Sequence, residues 1–261
     1  MRENGLAELS RYRELFYFFA WRDVKIRYKQ TLLGAAWAVL QPLLTMFIFL
    51  ILFGRLANIP TNGAPPVLFY YAALVPWIYF SSTVSLCSNS LLSNVNLLTK
   101  VYFPRAILPA ATAIGGLVDL AIASSILVVM MLYYGVTPGW QFLMWPFLAA
   151  LLMVFTSGLG MLLAALTVKY RDVKYALPFL IQLGLFITPV IYPTTFVPQQ
   201  YRVWLQFNPL AGIIEAFRST VTPESGFPWQ SLSMSILLTA ITLLIGFLYF
   251  QKTERSFADI A

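Results

Sequence analysis

Only a few side chains in this sequence could do chemistry, and Asp119 is the first of them. It is the one charged residue between Arg105 and Lys169, near the middle of a long apolar run. A buried acid is a functional candidate by default. Because no Lys or Arg shares this run, and a proton carrier usually has a relay of ionisable groups, the pattern favours a packing or hydrogen-bonding role. Thr112 and Ser124 are the expected partners.

The sequence contains none of the patterns on which enzyme catalysis usually depends. Histidine is absent, so the commonest general base and metal ligand is missing. There is no G-x-x-x-x-G-K-S/T loop to hold ATP phosphates and no G-x-S-x-G nucleophile elbow. The single cysteine, Cys87, excludes an internal disulfide. We therefore expect no catalytic residue, bound cofactor or metal on this chain.

Aromatic residues make up 16% of the chain and suggest a different kind of chemistry. Many lie near the ends of apolar runs, where they fit the aromatic belt of a membrane interface. A few lie deeper, where a ring could stack on a sugar and an amide or phenol could bond its hydroxyls. The candidate channel-lining residues are Trp37, Gln41, Trp77 and Tyr79.

Composition places these residues in a membrane protein. Hydrophobic residues make up 59% of the 261 residues and charged residues only 10%, which is typical of a polytopic membrane protein. The net charge is +7, but seven of the seventeen Lys and Arg residues precede Gln30 and most of the others lie in short loops. That placement favours membrane topology over nucleic-acid binding. We predict one all-α integral membrane domain over residues 1–261.

The apolar runs predict six membrane-spanning helices, since each run is close to or above the roughly 20 residues that a bilayer requires. Gln41 and Pro42 interrupt the first of them. The predicted spans are residues 31–53, 67–91, 106–134, 141–168, 175–191 and 232–250.

Residues 1–29 hold seven basic and four acidic side chains and cannot cross a bilayer. The helical pattern separates an apolar side from a basic side and predicts an interfacial amphipathic helix on an anionic leaflet. The apolar side comprises Leu9, Tyr12, Phe16, Phe19 and Ala20, and the basic side comprises Arg11, Arg22, Lys25 and Lys29.

Residues 92–105, LSNVNLLTKVYFPR, form a short basic stretch between two spans, which we call the elbow. Its positive charge favours the cytoplasmic side. Asparagines can cap a short helix here and Pro104 ends it, leaving an apolar surface that a soluble partner could grip. An ordinary solvated turn explains the stretch equally well. The candidate docking residues are Asn94, Asn96, Leu97, Leu98, Lys100, Tyr102, Phe103 and Arg105.

The segment before the last span is neither a clean span nor an ordinary loop. Two amphipathic pieces, about 198–207 and 210–220, flank Asn208-Pro209. Each is too short to cross, so we predict short re-entrant helices on the outer side over residues 198–220. Glu215 and Arg218 lie three residues apart in the second piece and can pair.

The positive charges decide the orientation of these elements. With six spans, fourteen Lys and Arg residues fall on the side of the termini and three fall on the other: Arg55, Arg202 and Arg218. Because cytoplasmic loops carry an excess of Lys and Arg, we expect both termini to be cytoplasmic.

Several segments together resemble the permease subunit of polysaccharide-exporting ABC transporters, which move O-antigen, capsule or teichoic acid. The resemblance covers nearly the whole chain in the expected order, and its segments are RDVKIRYKQTLLGAAWAVLQPLL, NLLTKVYFPRAILP, KYRDVKYALP, TPVIYP and NPLAGIIEAFR.

This resemblance implies a homodimer in the inner membrane, docked to two copies of a separate ATPase subunit that binds ATP and Mg. Residues 94–104 would be the coupling helix, and residues 1–29 would also line the entrance beside the ATPase. A path at a two-fold interface is also economical because six helices form a bundle too slim for a hydrated glycan. The cargo would be a lipid diphosphate-linked polysaccharide, with O-antigen expected first.

The anionic head of such a cargo would enter beside the basic cluster, and the glycan would follow an aromatic-lined channel. The same cluster could instead serve only topology and membrane-lipid headgroups. The headgroup candidates are Arg22, Lys25, Arg27 and Lys29.

Other functions are compatible with parts of this pattern. An export permease of the same architecture could carry teichoic acid, capsule, a lipid or a drug. A membrane-bound enzyme of lipid metabolism would require clustered acids or histidines at one interface, and the sequence lacks them.

Overall fold

The computed structural model describes residues 12–29, 34, 36–100, 103–170, 172–222 and 226–254. This part of the chain is 82% helical and contains no strand, which confirms the predicted all-α class. Its helices, numbered in chain order, are α1 Arg13–Lys29, α2 Ala36–Phe49, α3 Pro66–Asn89, α4 Val95–Lys100, α5 Ile107–Tyr133, α6 Trp145–Lys169, α7 Val173–Ile187, α8 Gln199–Gln206, α9 Pro209–Ser219 and α10 Trp229–Glu254.

Five helical segments of the described residues are long and apolar enough to cross a membrane: Ala36–Leu56, Pro66–Asn89, Ile107–Tyr133, Trp140–Lys169 and Trp229–Glu254. The predicted fifth span, 175–191, coincides with α7, which has only 15 residues. At 1.5 Å per residue that is about 22 Å, less than a hydrocarbon core of about 30 Å. A sixth crossing at α7 stays a prediction.

Helix α3 forms the centre of the bundle. Every residue from 68 to 75 is buried, and a helix that is buried on all sides must be surrounded by other elements. It packs against α2, α5, α6, α7 and α9. A second apolar cluster lies at the elbow end of the bundle and includes Phe19, Leu91, Phe103, Ile107 and Phe250.

The predicted interruption at Pro42 does not end the first spanning segment. Helix α2 continues through Pro42, which is buried, and the Thr45 hydroxyl donates to the Gln41 carbonyl at 2.9 Å. The helix changes to a π-helix over Leu50–Leu56. The departure from regular α-helical geometry therefore lies further along the chain than the proline.

The short helices α8 and α9 fall within the predicted re-entrant segment, 198–220, and Asn208 caps the second by accepting from the Leu210 amide at 3.1 Å. Arg218 is 4% exposed. Its guanidinium lies 4.1 Å from the centre of the Phe69 ring and donates to the carbonyls of Pro189, Val190 and Tyr192.

The predicted pairing of Arg218 with Glu215 is replaced by two separate contacts. Glu215 accepts a hydrogen bond from the Thr194 hydroxyl, while Arg218 binds the loop carbonyls described above. A buried guanidinium has five donors to satisfy, and three carbonyls of one turn satisfy more of them than a single carboxylate. The loop after α7 is thereby fixed to α9.

Helices α6 and α10 meet at two glycines. A Cβ added at Gly158 would lie 2.6 Å from the Leu243 Cα, and one added at Gly246 would lie 2.1 Å from the Gly158 carbonyl oxygen. Small residues allow membrane helices to approach this closely. These backbones therefore leave no room for a side chain at either glycine.

We expect Gly158→Ala to destabilise the protein by about 1–3 kcal/mol because the new methyl group must push the two backbones apart. The measurement is the midpoint of thermal unfolding in detergent, followed by circular dichroism. Gly115→Ala is the matched control, since its Cβ would meet its nearest neighbour, the Ala20 carbonyl oxygen, at 3.5 Å. Equal midpoints for the two variants would contradict the close contact.

Candidate functional site

The candidate site lies where the N-terminal helix α1 packs along the first half of α5. The Phe19 and Phe103 rings are 5.6 Å apart between centroids, and the Thr112 hydroxyl donates to Asp23 at 2.9 Å. Asp119 lies twelve residues beyond the start of α5 at Ile107, or about 18 Å along its axis. On the predicted apolar side of α1, Leu9 lies outside the described residues, and the others pack into the second apolar cluster: Tyr12, Phe16, Phe19 and Ala20.

Asp119 is bound by two consecutive residues at the end of α1. Arg27 forms an ion pair with one carboxylate oxygen and the Tyr28 hydroxyl donates to the other. The two charged side chains are only 20% and 29% exposed. Charges in such surroundings are tolerated when they are paired and hydrogen-bonded. Burial and the neighbouring Asp119 raise the pKa of Tyr28, so its phenol keeps its proton.

The partners predicted for Asp119 are wrong. Thr112 bonds to Asp23 and to the Leu108 carbonyl, and the Ser124 hydroxyl donates to the Leu120 carbonyl. The true partners lie 91 and 92 residues earlier in the chain. The excess of positive charge on residues 1–29 was the available signal, but it does not say which cation enters the bundle.

A cavity of about 590 Å³ lies beside this ion pair, between α1, α2, α3 and α5. Three of the four predicted channel residues line it: Trp37, Gln41 and Tyr79. Trp77 is absent from its walls; this residue is 5% exposed and packs on Phe80 with ring centroids 5.6 Å apart. The Tyr79 hydroxyl donates to the Ala113 carbonyl at 2.9 Å. The hydroxyl of this wall residue is therefore already hydrogen-bonded within the protein.

The four predicted headgroup residues fall into two pairs. Arg22 binds Asp23 at 3.0 Å and the Asn94 side chain at 3.0 Å, and Arg27 binds Asp119. Lys25 and Lys29 are exposed, and the Lys25 ammonium lies 5.7 Å from the centre of the Trp21 ring. Together with Phe18 and Ile26, these residues line a shallow groove. The groove lies on the face of α1 that points away from the bundle, which we call the outer face of α1.

The elbow contains a 3-10 turn, Leu92–Asn94, followed by the short helix α4. Residues 101 and 102, and with them the candidate Tyr102, lie outside the described residues. The candidates Leu97, Leu98 and Phe103 pack into the second apolar cluster. Among the elbow residues whose exposure the structure describes, the exposed ones are Leu92, Ser93, Asn96 and Lys100.

Both ends of the elbow are tied to other elements. Arg22 of α1 donates to the Asn94 side chain, as described above, and Asn94 donates to the Ser90 carbonyl at 2.8 Å. The Arg105 amide and guanidinium donate to the Glu254 side chain and carbonyl at 3.0 and 2.9 Å. The elbow is therefore bonded to α1 on one side and to the end of α10 on the other.

Among the described residues, no cluster of three or more His, Cys, Asp or Glu side chains could hold a metal ion. Cys87 is fully buried and its thiol donates to the Pro109 carbonyl at 3.1 Å. A thiol in this position packs as a small apolar group.

We expect Asp119→Asn to destabilise the protein by about 2 kcal/mol, because it leaves the Arg27 charge without its acid in a mostly buried position. The double variant Arg27→Met with Asp119→Leu removes both charges and should therefore lose less stability than the single variant Asp119→Asn. Thermal unfolding in detergent measures both. Asp172→Asn, at an exposed acid, is the control and should leave the midpoint unchanged. A double variant less stable than the single one would contradict a paired charge.

Comparisons with known proteins place this chain in a family. The profile of the family described as ABC-2 type transporter matches residues 14–222. An O-antigen export system permease protein, RfbA, from Myxococcus xanthus is 28% identical over 97% of both chains. Its namesake from Klebsiella pneumoniae is 26% identical over 92% of both chains.

A third relative extends the comparison. The polysialic acid transport protein KpsM of Escherichia coli is 25% identical over 90% of this chain and 92% of its own length. The family match covers most of the described bundle, including α1, the elbow and α9. The chain therefore belongs to the ABC-2 type transporter family, as a multi-pass membrane subunit and not an enzyme.

Proposed function

We propose that this chain is the membrane subunit of an ATP-driven exporter that moves a lipid-linked polysaccharide across the inner membrane. O-antigen is the cargo that we favour. The observation that carries the proposal is end-to-end similarity to an O-antigen export permease over 97% of both chains. Similarity to a polysialic acid transport protein keeps capsule as a second cargo. Teichoic acid, a lipid or a drug would use the same architecture.

The transport path requires more than one copy of this bundle. In the described residues, the spanning segment Ala36–Leu56 has only 17% of its most apolar window buried, and Leu177 is the one buried residue of α7. Exposed apolar helices in a membrane contact lipid or another subunit. A homodimer that brings these helices together at a two-fold axis would enclose a wider path than one chain can.

Energy would come from two copies of an ABC ATPase that bind ATP and Mg. The elbow offers that partner an exposed stripe formed by Leu92 of the 3-10 turn and by Asn96 and Lys100 of α4. Asn96 and Lys100 are four residues apart and therefore share one face of α4. The inward-packed Leu97, Leu98 and Phe103 would hold the elbow to the bundle while this stripe docks.

The diphosphate of the cargo lipid would bind on the outer face of α1. Lys25 and Lys29 are exposed there beside Trp21. Two ammonium groups beside an aromatic ring suit an anionic head at a membrane surface. Arg22 and Arg27 already bind Asp23 and Asp119, so we assign them chiefly to holding α1 in place. Both termini would face the cytoplasm, on the side that carries fourteen of the seventeen basic residues.

Removal of the gene for this chain should strip the cell surface of one polysaccharide while its lipid-linked precursor accumulates inside. Export is blocked, but synthesis on the inner face continues. Surface glycan staining and sugar analysis of the lipid fraction measure the two effects, and the sugar composition identifies the cargo. Complementation with the intact gene is the control. Unchanged surface glycan with altered drug tolerance would refute the proposal in favour of drug export.

The double variant Leu92→Asp with Lys100→Glu should separate ATP hydrolysis from export. We expect export to fall about tenfold, the effect of losing roughly 1.4 kcal/mol of coupling, while the ATPase still hydrolyses ATP. Export in cells and ATPase activity of the purified complex are the measurements. Lys252→Glu, an exposed reversal outside the elbow, is the control. Normal export by the double variant would refute docking at this stripe.

A further inference from the structure

The cavity beside Asp119 has the size and the walls of a ligand site. Its volume of about 590 Å³ lies within the range of about 300–1,000 Å³ that small-molecule sites usually have. Helix α2 contributes Trp37 and Gln41, α3 contributes Ser82, and the Arg27–Asp119 ion pair forms one end. The cavity therefore combines a flat ring, an amide and an ion pair.

The charges of the cavity select against ionic ligands. Arg27 and Asp119 neutralise one another, so an anion would meet the carboxylate and a cation would meet the guanidinium. A purely apolar chain would cover the ion pair and the Gln41 amide without replacing their hydrogen bonds to water, and that costs free energy. A neutral ligand with several hydroxyl groups avoids both costs, because it carries no charge and can replace the hydrogen bonds to water.

The polar groups that remain available match such hydroxyls. An ionised carboxylate has about four acceptor sites, and Arg27 and Tyr28 occupy one on each oxygen of Asp119. Gln41 is exposed and offers an acceptor and two donors. The Trp37 ring is 54% exposed and borders the same cavity, so it can cover the apolar face of a sugar ring.

We propose that this cavity binds one neutral sugar residue of the glycan, with Trp37 stacking on the ring and Asp119 and Gln41 bonding its hydroxyls. This inference rests on the proposed function and adds to it the site and chemistry of glycan contact. It also assigns two separate contacts to the cargo. The diphosphate lies against Lys25 and Lys29 on the outer face of α1, and the sugar lies in the cavity between α1 and the bundle.

Labelling of a cysteine placed in the cavity tests this assignment. Ser82 lines the cavity and its neighbour Ser81 does not, although both are partly buried and both hydroxyls donate to the Ile78 carbonyl. The native Cys87 is fully buried. Ser82→Cys and Ser81→Cys are therefore matched probes for a water-soluble maleimide, with the unsubstituted chain as the blank. The purified chain, in complex with its ATPase and without ATP, is labelled with increasing lipid diphosphate-linked glycan or with the sugar-free lipid diphosphate.

We expect the glycan to slow labelling at Ser82→Cys at least about fivefold and to leave Ser81→Cys unchanged, and the sugar-free lipid to protect neither. Trp37→Ala should raise the glycan concentration that gives half-maximal protection about tenfold, equivalent to about 1.4 kcal/mol. Trp37→Phe keeps an aromatic ring, so its half-maximal concentration should stay within about threefold of that of the chain with Trp37. Equal protection by the sugar-free lipid would overturn the proposal, since the cavity would then hold lipid. Absence of protection would also overturn it.

These failures differ from failure of the proposed function. A cell that loses its surface polysaccharide with the gene, but whose purified permease shows no glycan protection at Ser82→Cys, keeps the export function and refutes this subsite. A cell that retains its surface polysaccharide refutes the export function itself.

Discussion

The structure depends on one constraint: a charge placed among apolar helices must find its partner within the protein. Lipid tails offer such a group no hydrogen-bond partner. Asp119 and Arg218 meet this requirement in different ways. Asp119 binds a cation and a phenol from α1, and Arg218 binds three carbonyls of the loop after α7. The first contact fixes α1 to the long helix α5, and the second fixes the loop after α7 to α9.

The constraint explains why α1 is bound to the bundle through its polar as well as its apolar side chains. A helix held only by headgroups would place its basic residues in water. Here Arg27 and Tyr28 reach Asp119 about 18 Å along α5, and Phe19 and Ala20 are buried against the bundle. The opposite face keeps exposed aromatic rings such as Tyr17, Phe18 and Trp21. Helix α1 thus has one apolar face that packs on protein and a second, aromatic face that is exposed.

Much of this fold could be predicted from local sequence because hydropathy and charge are local properties. The apolar runs indicated an all-helical membrane protein, and Asn208-Pro209 marked the boundary between α8 and α9. Long-range pairing could not be predicted in the same way. The partner of Asp119 lies 92 residues away, and a single sequence carries no signal that selects Arg27 over Arg22. Glu215 and Arg218 show the reverse error, since proximity in sequence suggested a pair that tertiary contacts replace.

The second half of α1 connects the elbow to the cavity. Arg22 binds Asn94 of the elbow, and Arg27, five residues or about 7.5 Å further along the same helix, binds Asp119 at the cavity wall. A helix with intact backbone hydrogen bonds moves as a rigid unit over that length. A displacement of the elbow therefore breaks the Arg22–Asn94 bond, breaks the Arg27–Asp119 pair, or carries α1 and α5 along together. Because breaking the mostly buried, charged pair costs more than breaking the Arg22–Asn94 bond, α1 and α5 stay together at the cavity wall, and the elbow moves them for as long as the Arg22–Asn94 bond holds.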